Sequence, residues 1–272
     1  MKLVLYSFIG CDPYVQDPNL FRHFLRYYKN KGVDVFNIIL HSNENTDVNI
    51  SQYIEIMNDY RITPIETVFG IPFYDIKVKL YKDIIDSTTK TYDTNDWFVY
   101  ADGDEFIDTK TETFKEFIES ECIGYNCVMG KLREYISNNK RLEKVDINQE
   151  LQDQFCLRLN KMTVRKFGFG MAGKVCFTKF PYYIEDQAHH RPIIGNKKTS
   201  LIPDIKPGIL DVKHYRWTSS FVEGYKKRIA SKGCLLGHSK KIDCILQECI
   251  NSDGKLPESI LKRISHDDSQ KH

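Results

Sequence analysis

Short apolar runs alternate along the chain with segments whose apolar residues recur every three or four positions, and this alternation predicts strands followed by helices. Lys2 to Phe8 is a β-rich run that breaks at Gly10-Cys11-Asp12-Pro13, a loop at the carboxyl end of a strand, where open α/β sheets place ligands. Asn19 to Lys31 carries Leu20, Phe21, Phe24, Leu25 and Tyr28 at helical spacing, and Gly32 stops it before the strand Val33 to His41. These segments form a β-α-β unit. Ile50 to Tyr60 repeats the helical pattern through Tyr53, Ile54 and Met57, and Ile62 to Val68 is a short third strand. Phe73 to Ser87 places Lys77, Leu80, Tyr81 and Ile84 on one helical stripe, and Asp96 to Ala101 is then a continuous apolar strand of the kind buried on both faces. The order predicts an α/β fold with a mostly parallel sheet.

Beyond this point the pattern is less regular. Thr113 to Ser120 reads as a helix, Asn126 to Arg133 as a strand and Ser137 to Glu150 as a polar loop. Met162 to Phe169, Val175 to Phe180 and Tyr182 to Ile184 are short strands, and Val212 to Tyr215 is the last one. Ser220 to Lys232 is a helix stopped by Gly233, followed by short helices at Lys240 to Ile250 and Ser259 to Ile264. No internal repeat interrupts this order.

Composition narrows the class. With 39 basic and 37 acidic residues and a net charge of +2, the chain lacks the basic excess of a protein that neutralises many nucleic-acid phosphates. Its longest apolar runs, Phe36 to Leu40 and Trp97 to Ala101, fall far short of the ~20 residues that cross a bilayer. Met1 to Gly10 has no small-residue cleavage site, so it is expected to be a first strand rather than a leader. The eight cysteines are scattered without a C-x-x-C pair, which suits reduced thiols in a cytoplasmic protein. Richness in Ile, Lys, Asn and Tyr suggests a bacterial or large-virus source.

The segment Val99-Tyr100-Ala101-Asp102-Gly103-Asp104-Glu105-Phe106 delivers two carboxylates, one residue apart, from a buried strand into the loop at its carboxyl end. Mg²⁺ and Mn²⁺ take such oxygen ligands and complete their shells with water and substrate phosphate oxygens, so Asp102 and Asp104 are metal-ligating candidates. Gly103 lets the backbone bend and a diphosphate approach. A cation there suits a reaction in which a nucleotide diphosphate leaves a sugar, because it neutralises charge growing on the departing phosphate.

Apolar strand, Asp-x-Asp and Glu-Phe together resemble the signature of GT-A glycosyltransferases related to glycosyltransferase families 2 and 92. The resemblance continues through Gly170-Met171-Ala172-Gly173-Lys174, His189-His190, His214-Tyr215-Arg216-Trp217 and Phe221 to Arg228, in the same order and coarse spacing, across roughly residues 2 to 233. It implies a Rossmann-like GT-A fold, a mostly parallel central sheet flanked by helices, with a nucleotide-binding half at 1–108, an acceptor half at 109–233 and a small helical annex at 234–272. It implies a UDP-linked sugar donor, a glycan or glycoconjugate acceptor and inversion at the sugar carbon. Asp102 would lie near the ribose, Asp104 would bind the metal, and His214 would add a ligand from the far side. Imidazole suits Mn²⁺ better than Mg²⁺.

Other candidates rest on position. Glu185 and Asp186 are the best-placed carboxylates for a general base, with Glu150 and Asp153 as competitors and an exposed acidic turn as the plain alternative. Lys77, Lys79, Lys174 and the run Lys226-Lys227-Arg228 are candidate diphosphate contacts, against the default of solvated lysines. Tyr6, Ser7 and Cys11, at the end of the first strand, are candidates for base and ribose contacts. Of His189 and His190, adjacent and pointing to opposite faces if extended, at most one reaches the site. A Mg²⁺-dependent nucleotidyltransferase and a non-catalytic sugar- or nucleotide-binding module of the same fold are the rival readings.

Overall fold

A computed structural model describes residues 1–12, 14–42, 47–70, 79, 83–84, 87, 91–159, 173–184, 192–194, 204–224, 248–249, 251–262 and 264–265. The chain opens with β1 (Leu3–Gly10), α1 (Pro18–Asn30), β2 (Val35–Ser42), α2 (Asp47–Asp59) and β3 (Glu66–Phe69). Next come β4 (Trp97–Tyr100), β5 (Glu105–Asp108), α3 (Phe114–Glu121), β6 (Cys127–Ile136), α4 (Leu151–Gln154) and β7 (Leu157–Leu159). The last elements are β8 (Gly173–Lys179), β9 (Tyr182–Ile184), β10 (Pro192–Ile194), β11 (Ile205–His214), α5 (Glu258–Leu261) and β12 (Ile264–Ser265).

Every residue of β1 is buried, with Leu3, Leu5 and Ile9 entering one core cluster and Val4, Tyr6 and Phe8 the other. A strand covered on both faces therefore reads as a continuous apolar run. The α1 helix starts where the Asp17 side chain accepts a hydrogen bond from the Asn19 N–H and Pro18 occupies the first turn. It buries Leu20, Phe21, Phe24, Leu25 and Tyr28 and ends before Gly32, whose φ of +83° suits glycine. At α3, Thr113 accepts from the Glu116 N–H, satisfying one amide of the first turn, while Glu116 accepts from the N–H of Glu112, just before the cap.

The main sheet runs β12-β7-β6-β8-β4-β1-β2-β3, and β11 joins β6 on one side and β5 on the other. Pairing is parallel among β3, β2, β1 and β4 and between β6 and β11, while β8 inserts antiparallel between β4 and β6. Helices flank the sheet, so the class is α/β. The chain steps outward from β1 through β2 to β3 and then returns to pair β4 with the opposite side of β1. That reversal is a topological switch point, outside whose carboxyl ends open α/β sheets bind ligands.

The elements match the periodicity closely in the first half and less so afterwards. The strand β5 lies in the acidic motif itself and is absent from the sequence reading, and β11 is longer than the expected Val212 to Tyr215. The polar stretch after β6 holds no regular element before α4. The C-terminal residues, expected to form a small helical annex with a frayed tail from Ser265, also supply β12, which pairs with β7. A two-residue strand is too short to show a period. The helix expected at Phe73 to Ser87, the strand at Met162 to Phe169 and much of the late helices lie wholly or mainly outside the described residues. Among the described residues no helix is long and apolar enough to cross a membrane.

Candidate functional site

The strand β4 ends at Tyr100 and the chain turns at once, the Glu105 N–H reaching the Asp102 carbonyl at 2.9 Å and the Asp102 N–H reaching Glu105 Oε2 at 2.9 Å. From this turn β5 runs antiparallel to β11 with Glu105 opposite His214, and β11 runs parallel to β6 with His214 opposite Glu134. Three strands thus place Glu105, His214 and Glu134 in one transverse row. The Tyr215 N–H closes the corner on the Asp104 carbonyl at 2.9 Å.

Two networks cross this corner. His214 Nε2 lies 3.0 Å from Asp104 Oδ2 across 110 residues of sequence, and its Nδ1 lies 2.9 Å from Glu134 Oε1. The second Glu134 oxygen accepts from the Trp217 indole N–H at 3.0 Å, and the Arg216 guanidinium stands 3.7 Å from the first. In the other network the Lys174 ammonium donates to Asp102 Oδ2 at 3.2 Å and to Glu105 Oε2. Lys174 is 1% exposed, Glu105 4% and Glu134 1%, so these charges are held inside the protein by one another.

The electrostatics follow from that enclosure. Burial alone would favour neutral His214, but Glu134 and Asp104 on its two sides push it up to about 10. Burial likewise opposes ionisation of Asp104, and His214 with Arg216 outweighs it, holding the carboxyl down at about 2. Glu134 is lowered for the same reasons, against its burial. Glu105 is raised, because burial outweighs the attraction of Lys174, while Lys174 itself is raised by Asp102 and Glu105 against its own burial. Four carboxylates face Lys174, Arg216 and a protonated His214, which leaves the cluster one negative charge in excess.

Asp104 and His214 are the side chains that could hold a divalent ion of the Mg²⁺ or Mn²⁺ kind. Two ligands at adjacent corners of an octahedron, each ~2.1 Å from the ion, are ~3.0 Å apart. Asp104 Oδ2 and His214 Nε2, joined here by a hydrogen bond, have that separation. Glu134 on Nδ1 holds the imidazole with Nε2 towards Asp104, as carboxylates do behind metal-bound histidines. Among the described residues no group of three His, Cys, Asp or Glu side chains forms a metal cluster. An ion that keeps water and substrate oxygens needs one or two protein ligands. Asp102 is directed at Lys174 instead.

The remaining candidates are distributed unevenly. Gly103 lies in the turn, and an added Cβ would come within 2.3 Å of the Gln16 side chain. Lys174, a candidate phosphate contact, is turned beneath the acidic turn. Tyr6, Ser7 and Cys11, at 1%, 0% and 0% exposure, are core residues in this structure. The Ser7 hydroxyl donates to the Ala101 carbonyl at 2.8 Å, and burial raises the Cys11 thiol far above its ordinary value. Lys79 is exposed. Glu150 pairs with Arg26 at 3.2 Å and borders a separate cavity of about 340 Å³ shared with Phe106, Lys213 and Tyr215, residues that alternate with Glu105 and His214 and so face the opposite side. Asp153 is exposed in α4. Lys77, Glu185, Asp186, His189, His190 and Lys226 to Arg228 lie outside the described residues.

Glu134 and Gln16 escaped the sequence reading, and Trp217 stood in the motif His214-Tyr215-Arg216-Trp217 without a role. Glu134 stands one residue past the expected strand, on the face shared with Leu132 and Ile136, where a charged residue is itself a signal. Compared with protein-family models and with curated proteins, the chain matches none.

Proposed function

We propose that this protein is a metal-dependent glycosyltransferase of GT-A type that passes a sugar from a nucleotide diphosphate donor, UDP-linked, to a hydroxyl of a glycan or glycoconjugate, with inversion. The observation that carries the reading is the meeting of Asp104 and His214 at 3.0 Å, on a turn outside the carboxyl end of β4 and beside β1. Asp104 and His214 would hold Mn²⁺, and a bound ion there supplies neutralisation of the charge that develops on the departing diphosphate. Glu134 orients His214, and Lys174 ties Asp102 to Glu105 so that the turn keeps its shape. The base that takes the acceptor proton is assigned to Glu185 or Asp186, from their place in the sequence alone.

The test is UDP release from a panel of UDP-sugars with Mn²⁺ and with EDTA. Release is expected with Mn²⁺ and not with EDTA, and Asp104→Ala is expected to lower it roughly 100-fold or more. Undiminished release by Asp104→Ala would remove the metal assignment. Pyrophosphate release from nucleoside triphosphates would mark a nucleotidyltransferase, and thermal stabilisation by UDP and Mn²⁺ without turnover would mark a binding module.

A further inference from the structure

Gln16 lies in the connection from β1 to α1, and its main chain is held from several sides. The Gln16 N–H and the Val15 N–H both reach the Asp12 carbonyl, at 3.3 and 2.7 Å, and the Tyr53 hydroxyl donates to the Gln16 carbonyl at 2.8 Å. Asp12 is anchored in turn by the Ser42 hydroxyl at 2.6 Å, and the next residue, Asp17, caps α1. Gly224 presses on the same connection from the C-terminal side, since a Cβ there would meet the Tyr14 carbonyl at 2.0 Å.

The side chain that this connection delivers lies flat against Gly103. A Cβ on Gly103 would fall 2.3 Å from Gln16 Nε2 and 2.4 Å from Oε1. Gln16 is 7% exposed, and its Nε2 has no hydrogen-bond partner among the described residues. A buried N–H without an acceptor destabilises a fold, and one kept in place by so many main-chain bonds asks for an acceptor beyond the described residues. The carboxylates that flank Gly103 are already directed elsewhere, Asp102 to Lys174 and Asp104 to His214.

From this we infer that Gln16 is a ligand-binding residue, whose side-chain amide donates to an anionic oxygen of the nucleotide diphosphate that docks over Gly103. The inference rests on the reading of the site as a nucleotide-sugar site and adds a contact to it. Charge-assisted bonds of this kind are the stronger ones, and the absence of a Cβ at Gly103 leaves room for the amide that would make this one.

Calorimetric titration of UDP with Mn²⁺ into the full chain, with urea unfolding of the ligand-free protein beside it, separates the alternatives. Gln16→Met keeps the length of the side chain and removes the donor. It is expected to unfold at the same or a higher urea concentration than the parent, while Kd for UDP rises about 10-fold. Gln16→Glu, nearly the same shape with a like charge facing the diphosphate, is expected to weaken UDP further and serves if the methionine variant does not fold. Equal UDP affinity in parent and variants would overturn the role of Gln16 and leave the site reading intact. So would a loss of affinity that only follows a loss of stability. A parent protein that does not bind UDP with Mn²⁺ would overturn the site reading itself, and this inference with it.

Discussion

His214 sits 2.9 Å from Glu134 and 3.0 Å from Asp104, and the proton held along that row decides how the metal-free protein responds to pH. The folded state raises His214 from 6.5 to about 10, so its contribution is fully present below ~6.5 and is lost as pH rises towards 10. Asp104 is lowered from 3.8 to about 2, so its contribution is present above ~3.8 and lost as pH falls towards 2. Between roughly pH 4 and 6.5 both are complete. In EDTA, stability to urea is expected to drop by a few kcal/mol between pH 6.5 and 10. His214→Gln should remove that slope, and a flat wild-type profile would contradict the pairing. Added Mn²⁺ should reduce the loss at high pH, because a metal takes imidazole in its deprotonated form.

Among elements, β11 decides the site, because it lies between β5 and β6 and carries His214 to both. Its neighbour β6 is crowded at Gly130, where a Cβ would meet Cys176 Sγ of β8 at 2.6 Å and Val212 Cγ2 of β11 at 2.7 Å. Gly130→Ala should therefore destabilise by about 1–3 kcal/mol through overpacking, read as a lower urea midpoint. Elements with local signals were legible: α1 announces itself by Asp17, Pro18 and an apolar stripe, and its observed span differs from the expected one by a single residue at each end. The strand β5 was not, because four residues that alternate Glu, Phe, Ile and Asp carry no period distinct from a turn.

On the scale of the whole molecule, the C-terminal residues share a core with the sheet. Cys249, Leu256 and Ile260 pack with Ile136, Leu159 and Trp217, and Trp217 is the residue that also holds Glu134. Leu256, 1% exposed, lies in this shared core rather than in an independent unit. Leu256→Ala should lower stability by about 2–5 kcal/mol. The variant should unfold in one transition by fluorescence and circular dichroism alike, whereas two separated transitions would show the C-terminal part folding on its own.

By itself the sequence determined the α/β class, the first strand and helix, the buried strand β4 and the acidic turn at its end, all of which follow from local apolar spacing and turn chemistry. It also singled out Asp104 and His214, through a resemblance of motifs. Only the tertiary structure decided that these two meet, that Glu134 stands behind the histidine, that Lys174 lies under the turn and that the Gln16 amide rests on Gly103. The physical reason is range. Periodicity reports which face of an element is apolar, whereas strand register and the enclosure of a charge are set by partners 70 to 110 residues away, whose contributions no local pattern records.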